Sequence, residues 1–241
     1  DRLRSRGLGD VYKRQISTYM RMLRSIYNRG VDMHQAPYVH GLFRDVFTGV
    51  DTRQKKAIPI GELHILLNKD PQSEKLRRTQ AIANLLFQFC GMPFSDLAHL
   101  EKSNLKQGLL KYNRLKTGTP MSIEVLESAH NAIGGLYNKT DARSPDYPDY
   151  LFRILSGAYK RDEEEAYREY QSALRRFNND LKSLSRKLRI SSSVTSYTLR
   201  HSWATTAKYR GVPIEMISES LGHKSIKTTQ IYLKGFELEA V

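Results

Sequence analysis

Tyr167, Tyr170, Leu174, Phe177, Leu181, Leu184 and Leu188 recur at alternating intervals of three and four residues. Apolar side chains so spaced share one face of an α-helix, which predicts a helix of about six turns whose stripe must be covered by other parts of the chain. The same spacing would suit a coiled coil, but three heptads ordinarily pack within their own domain. At 241 residues the chain is long enough to build a core around such a helix.

The rest of the pattern is also mostly helical. Ile16, Met20, Leu23 and Tyr27 mark one face of a helix, and a second short helix is expected over VHGLFRDVF, 39 to 47. A polar, Lys-rich linker follows to about Lys56, with a domain boundary expected near 52 and a new helix near Ile60. Asp70-Pro71 reads as the N-cap and first-turn proline of the next helix, whose Ala81, Ile82, Leu85, Leu86 and Phe89 form a broad stripe ending at Gly91. LLKYNRLKTGTPMSIEV, 109 to 125, breaks the helical run: Leu110, Tyr112 and Arg114 alternate, Thr117-Gly118 turns, and Met121 and Ile123 return, a β-hairpin carrying Lys116 near its tip. A polar loop spans 139 to 150. Near the end, Pro213 opens a helix that Gly222 closes, and Ser225 caps another beginning at Ile226. The fold class expected is mainly α with a small antiparallel β-sheet.

Lys and Arg outnumber Asp and Glu by 39 to 25, a net charge of +14, which suits a polyanionic partner and makes nucleic acid the first candidate. The longest apolar runs, such as AIANLLF, are far too short to span a bilayer, and the start does not read as a signal peptide, so a cytoplasmic protein with no membrane partner is expected. One cysteine, Cys90, forbids an internal disulfide, and the seven histidines lack zinc-like spacing. No cofactor or metal is expected. The first fifteen residues, DRLRSRGLGDVYKRQ, show no apolar period and resemble a translated sequencing-adapter peptide; the alternative is a natural basic arm. The basic excess persists without them.

Tyr232 by itself reads as an ordinary edge tyrosine. On a helix begun at Ile226, the stripe of Ile226, Leu233, Phe236 and Ala240 lies about 80° from it. Its neighbours alter that reading: TSYTLRHSWATTAKYRGVPIEMISESLGHKSIKTTQIY, 195 to 232, strings together Arg200, His223 and Tyr232. This resembles the C-terminal signature of the tyrosine recombinases, the phage-integrase family: H-x-L-R-H, then L-G-H, then a tyrosine nine residues later. GMPFSDLAHL and SYTLRHSWAT are similar to integrases of Bacteroides-type mobile elements. The resemblance implies that 16–51 are the end of a helical, SAM-like core-binding domain and its linker. Residues 52–241 would then be the catalytic domain, truncated at its C-terminus.

It also implies a chemistry: site-specific recombination of double-stranded DNA through a 3′-phosphotyrosine, by a bacterial, nucleoid-associated protein that works as a homotetramer on DNA when complete. Cutting a phosphodiester without a metal needs a nucleophile, neutralised nonbridging oxygens and a proton for the leaving oxygen. By motif position Tyr232 is the nucleophile, Arg200 the second arginine of the phosphate clamp, His223 the group that steadies the phosphate, and Lys116 the proton donor.

Two positions depart from the pattern. Tyr197 stands where the family has the histidine of H-x-x-R, and with a pKa near 10 a phenol shuttles protons less readily than imidazole. His201 is a poor substitute, since it points about 100° away from Arg200 on a helix. The first clamp arginine, expected in the GMPF stretch, is replaced by Pro93, or by Cys90 if the arginine stands just before the glycine; neither neutralises phosphate. Arg114, two residues before Lys116 on the same hairpin face, is the candidate replacement. The alternative from another class is a relative of the same fold that binds DNA and does not cut.

Overall fold

The computed structural model describes residues 2–46 and 57–234, with the side chains of 2–14, Ile231, Tyr232 and Lys234 outside that description. Two compact units divide the chain, Asp1–Gln54 and Lys55–Val241.

In the first unit helix α1 runs Arg2–Asp32, including the stretch without apolar periodicity. That stretch has no proline and carries four Arg and two Leu, good helix formers that offset its two glycines, so it can continue the helix where amphipathicity is lacking. Tyr27 fixes the return of the chain: its hydroxyl donates to the Pro37 carbonyl at 2.7 Å and accepts from the Val39 amide at 2.6 Å. The helix expected over 39–47 does not form within 39–46, where turns interrupted by a left-handed Gly41 take its place. Phe47, the expected linker and the expected boundary near 52 lie outside the described residues.

The second unit begins with helices α2 (Ile60–Asn68) and α3 (Glu74–Gln88). Asp70-Pro71 is not the cap of α3; Ser73 holds that position. Asp70 instead accepts from the Gln72 amide and from Arg77, closing a tight turn ahead of the helix. The side-chain amides of Gln80 and Asn84 donate to carbonyls at the end of α2, so α3 caps its predecessor. The short α4 (Phe94–Ala98) leads to an antiparallel sheet of β1 (Leu105–Lys106), β2 (Leu109–Asn113) and β3 (Pro120–Glu124), ordered β1-β2-β3. Leu110 pairs with Ile123 and Tyr112 with Met121, which puts the predicted alternating residues opposite one another.

After α5 (Glu127–Leu136) and the polar loop comes α6 (Glu164–Lys187), the helix written in heptads. Acidic residues in its first turn and basic ones in its last complement the helix dipole. Phe177, Leu181, Leu184 and Leu188 are buried against the same core as Leu85 and Leu86 of α3, and Tyr170 and Leu174 are partly buried there, so most of the stripe is covered inside its own domain, while Tyr167 at its start is exposed. The chain finishes its described part with α7 (Ser196–Tyr209), α8 (Ile214–Ser220) and α9 (Ile226–Lys234). These three share a smaller cluster of Ala204, Ala207, Ile217, Leu221 and Leu233.

The buried face of α9 differs from the expected stripe. Ile226 is 41% exposed, whereas Thr229 and Leu233 are buried. Phe236 and Ala240 lie outside the described residues. Burying Leu233 anchors the helix with roughly 1.5–3 kcal/mol of transfer free energy.

Candidate active site

The site is organised by how α8 ends. Gly222 takes φ +63 and the amides of Gly222 and His223 turn back to the carbonyls of Glu219 and Ser218 at 2.7 and 3.0 Å. This is a Schellman ending, which satisfies two of the last carbonyls and leaves that of Leu221 pointing away from the helix. Leu-Gly-His is therefore a structural sentence: a buried cap residue, a left-handed turn and a side chain aimed out of it.

Two guanidiniums fill the orphaned carbonyl. Arg200 Nη2 donates to Leu221 O at 2.6 Å and its Nη1 donates to Gly91 O at 2.8 Å. Arg114 Nη1 donates to the same Leu221 oxygen, while its Nε donates to Asp96 Oδ2 at 3.1 Å. Arg200 and Arg114 are 6% and 7% exposed, so these cations are buried and held in register. The negative end of α8 favours them further.

Local sequence explains how each arrives. A reciprocal capping box between Thr195 and Thr198 starts α7, fixing Arg200 in its second turn. Gly91 must be glycine: its φ is +66, and a Cβ there would lie 3.2 Å from both Arg200 Cα and Trp203 Cβ. The stretch where a clamp arginine is expected thus contributes a backbone acceptor to the second arginine. Pro93 precedes α4 as its cap, and Cys90 is half-buried, its thiol pushed up by desolvation and so kept neutral. Asp96, four residues after Met92 on α4, supplies the carboxyl that holds Arg114; burial raises its pKa against the pull of that arginine.

Arg114 opens the hairpin loop, accepting from Thr117 and Gly118 through its own carbonyl, and Thr119 Oγ1 reaches Gly222 O at 3.4 Å. Lys116 is exposed next to the Thr117-Gly118 turn, near enough for its charge to act on His223. His223 Nε2 lies 3.4 Å from Arg200 Nη2, and Nδ1 lies 2.8 Å from Thr229 Oγ1. Desolvation, then the charges of Arg200, Arg114 and Lys116, push its pKa down to about 4, so the imidazole is neutral at pH 7.

The sequence-derived set is thus brought together in part. Arg200, His223 and Arg114 converge directly, and the charge of Lys116 reaches them. Tyr197 is exposed at the start of α7, its ring edge-on to buried His201 at 4.6 Å. Tyr232 is in the last turn of α9, its side chain outside the described residues. Sequence reasoning missed Thr229, Asp96 and the Leu221 carbonyl; the double threonine of KTTQIY was the available signal for the first. Among the described residues no group of three or more His, Cys, Asp or Glu side chains is placed to hold a metal ion, and no helix is long and apolar enough to cross a membrane.

The sequence profile of the Phage integrase family matches residues 61–238. The chain belongs to that family. The integrase-family chain is 32% identical over 152 residues to the tyrosine recombinase XerA of Pyrococcus furiosus, a match covering 62% of this chain and 48% of that protein. It is 44% identical over 46 residues to a resolvase of Escherichia coli, covering 19% of this chain and 18% of the relative. The chain thus spans about half the XerA protein, and the resolvase match is local. Among solved structures it is similar to the integrase of the Tn1549 transposon in complex with a circular intermediate DNA, with TM-score 0.60, 16% identity and coverage of 87% and 72% of the two chains. That likeness shows a shared fold: a mainly helical integrase catalytic domain with a small three-stranded sheet.

Proposed function

We propose that this chain is the catalytic part of a site-specific recombinase that moves a mobile element of Bacteroides type, cutting and rejoining double-stranded DNA through Tyr232. The observation that carries the reading is the convergence of Arg114 and Arg200 on the Leu221 carbonyl beside His223, nine residues ahead of that tyrosine. Arg114 takes the place of the clamp arginine missing at Pro93 and Cys90. The two guanidiniums neutralise the nonbridging oxygens, and neutral His223 offers a hydrogen bond to the phosphate. Tyr232 attacks phosphorus, Lys116 protonates the leaving 5′-oxygen, and the 3′-phosphotyrosine conserves the bond for a second strand's hydroxyl. Tyr197 is exposed, and its phenol can bond a DNA phosphate. The complete protein works as a homotetramer on DNA in the bacterial cytoplasm, and residues 16–51 are the end of its core-binding domain.

The test uses a pool of randomised-sequence duplexes carrying a nick, which lets the leaving strand diffuse away and traps any covalent intermediate. An SDS-resistant protein–DNA adduct that disappears in Tyr232→Phe supports the reading. Salt-dependent binding without an adduct favours the second reading, a DNA-binding relative that does not cut, which rests on Pro93 and Cys90 standing where arginine is expected.

A further inference from the structure

Thr229 is fully buried on α9, one turn before Tyr232. A buried hydroxyl is costly unless it is bonded, and valine has the same shape without that cost. The bond it makes is to His223: Oγ1 to Nδ1, 2.8 Å. The other ring nitrogen, Nε2, faces Nη2 of Arg200 at 3.4 Å.

A neutral imidazole has one N–H and one acceptor nitrogen, and the partner of one nitrogen decides the role of the other. Guanidinium donates only, whereas a hydroxyl does either. When Thr229 accepts from Nδ1–H, Nε2 accepts from Arg200. When Thr229 donates to Nδ1, Nε2 carries the proton and presents an N–H beside Arg200, where a bound phosphate can accept it. Thr229 can do this only where α9 puts it, and Leu233, one turn further on the same face, locks that position by burial in the cluster of α7 and α8.

We propose that Thr229 is a positioning residue that fixes the plane of His223 and, by donating to Nδ1 once a phosphate engages Arg200, holds the Nε2–H tautomer that donates to that phosphate when the helix bearing the nucleophile is docked. The assignment rests on the function proposed above. It couples two requirements, tyrosine delivery and phosphate hydrogen bonding, through one hydroxyl.

The experiment compares Thr229→Val, which keeps shape and loses the hydroxyl, with Thr229→Ser, which keeps the hydroxyl. Histidine ring 15N shifts are recorded on the chain without and with the nicked duplex pool, His223 being assigned by difference with His223→Gln. The valine variant is expected to bind the pool as wild type does, to shift the His223 ring nitrogens, and to form adduct about 10- to 100-fold more slowly, the scale seen when the partner that orients a metal-ligating histidine is lost. The serine variant is expected within about threefold of wild type. Unchanged ring shifts in Thr229→Val, or a serine variant as slow as the valine one, would overturn the assignment. Should the wild-type chain form no adduct, the recombinase reading fails, and the ring shifts still decide whether Thr229 sets the tautomer. If the valine variant does not fold, Thr229→Ala takes its place.

Discussion

Arg114 and Arg200 both donate to the carbonyl oxygen of Leu221, although they come from a hairpin loop and a helix 86 positions apart in the sequence. Two like charges come together there because Asp96 and Gly91 hold them from behind and the oxygen lies between them. If Arg114 serves as the clamp arginine, Arg114→Lys should slow adduct formation by about 10²–10³, since an ammonium cannot reproduce the planar fork. Cys90→Arg should bring no gain. Initial rates of SDS-resistant adduct on the nicked pool measure both.

Gly222→Ala is expected to harm the site more than the fold. Its φ of +63 penalises any Cβ, and that Cβ would run into Arg114 Cδ and lie 2.9 Å from Met121 Sδ. The left-handed strain is about 1–2 kcal/mol, a tolerable loss in urea unfolding, whereas displacing Arg114 should cost nearly as much adduct rate as Arg114→Lys.

His223 makes the fold sensitive to mild acid. Its pKa is about 4 in the folded chain against 6.5 when exposed, so the unfolded chain binds a proton that the folded chain refuses between those values. This contribution to stability is complete above about 6.5 and shrinks as pH falls toward 4. Urea midpoints taken at pH 7 and pH 5 should differ more for wild type than for His223→Gln.

Glu62 acts in the same direction, in a more acidic window. Bonds from Ser191 and then Ser192 lower its carboxyl to about 2, with the Ser191 hydroxyl at 2.6 Å. Its contribution is present above about 4.5 and is lost as pH falls toward 2. Glu62→Gln should lower stability at pH 7 by about 1 kcal/mol, the scale of a solvent-facing charged hydrogen bond, and flatten the acid limb of the unfolding curve.

What the sequence made legible was whatever rests on local periodicity or punctuation. The heptad spacing of α6, the stripe of α3, the alternation around Leu110 and Met121, and the closing role of Gly222 are each written within a few residues. The turn over 39–46 was misread as a helix because Tyr27, a dozen residues upstream, supplies the bonds that fix it. Ile226 was expected inside, but the face that α9 buries is chosen by the cluster of α7 and α8, which takes Thr229 and Leu233. Asp70-Pro71 carried the chemistry of a helix start and was used for a turn. In the site, the motif resemblance pointed to Arg200, His223 and Lys116, while the alternation of Arg114 with Tyr112 hinted at where its side chain goes. Asp96 gave no signal, because a lone aspartate on a five-residue helix has no periodicity to betray it.

The Leu221 carbonyl has a different standing from every side chain around it. Any amino acid at 221 would bring the same oxygen, so a substitution there tests packing and never the acceptor. Mutational scanning would rank the centre of this site as a mere hydrophobic position. The genetic handle on it lies one residue on, in the glycine that turns the oxygen toward the arginines.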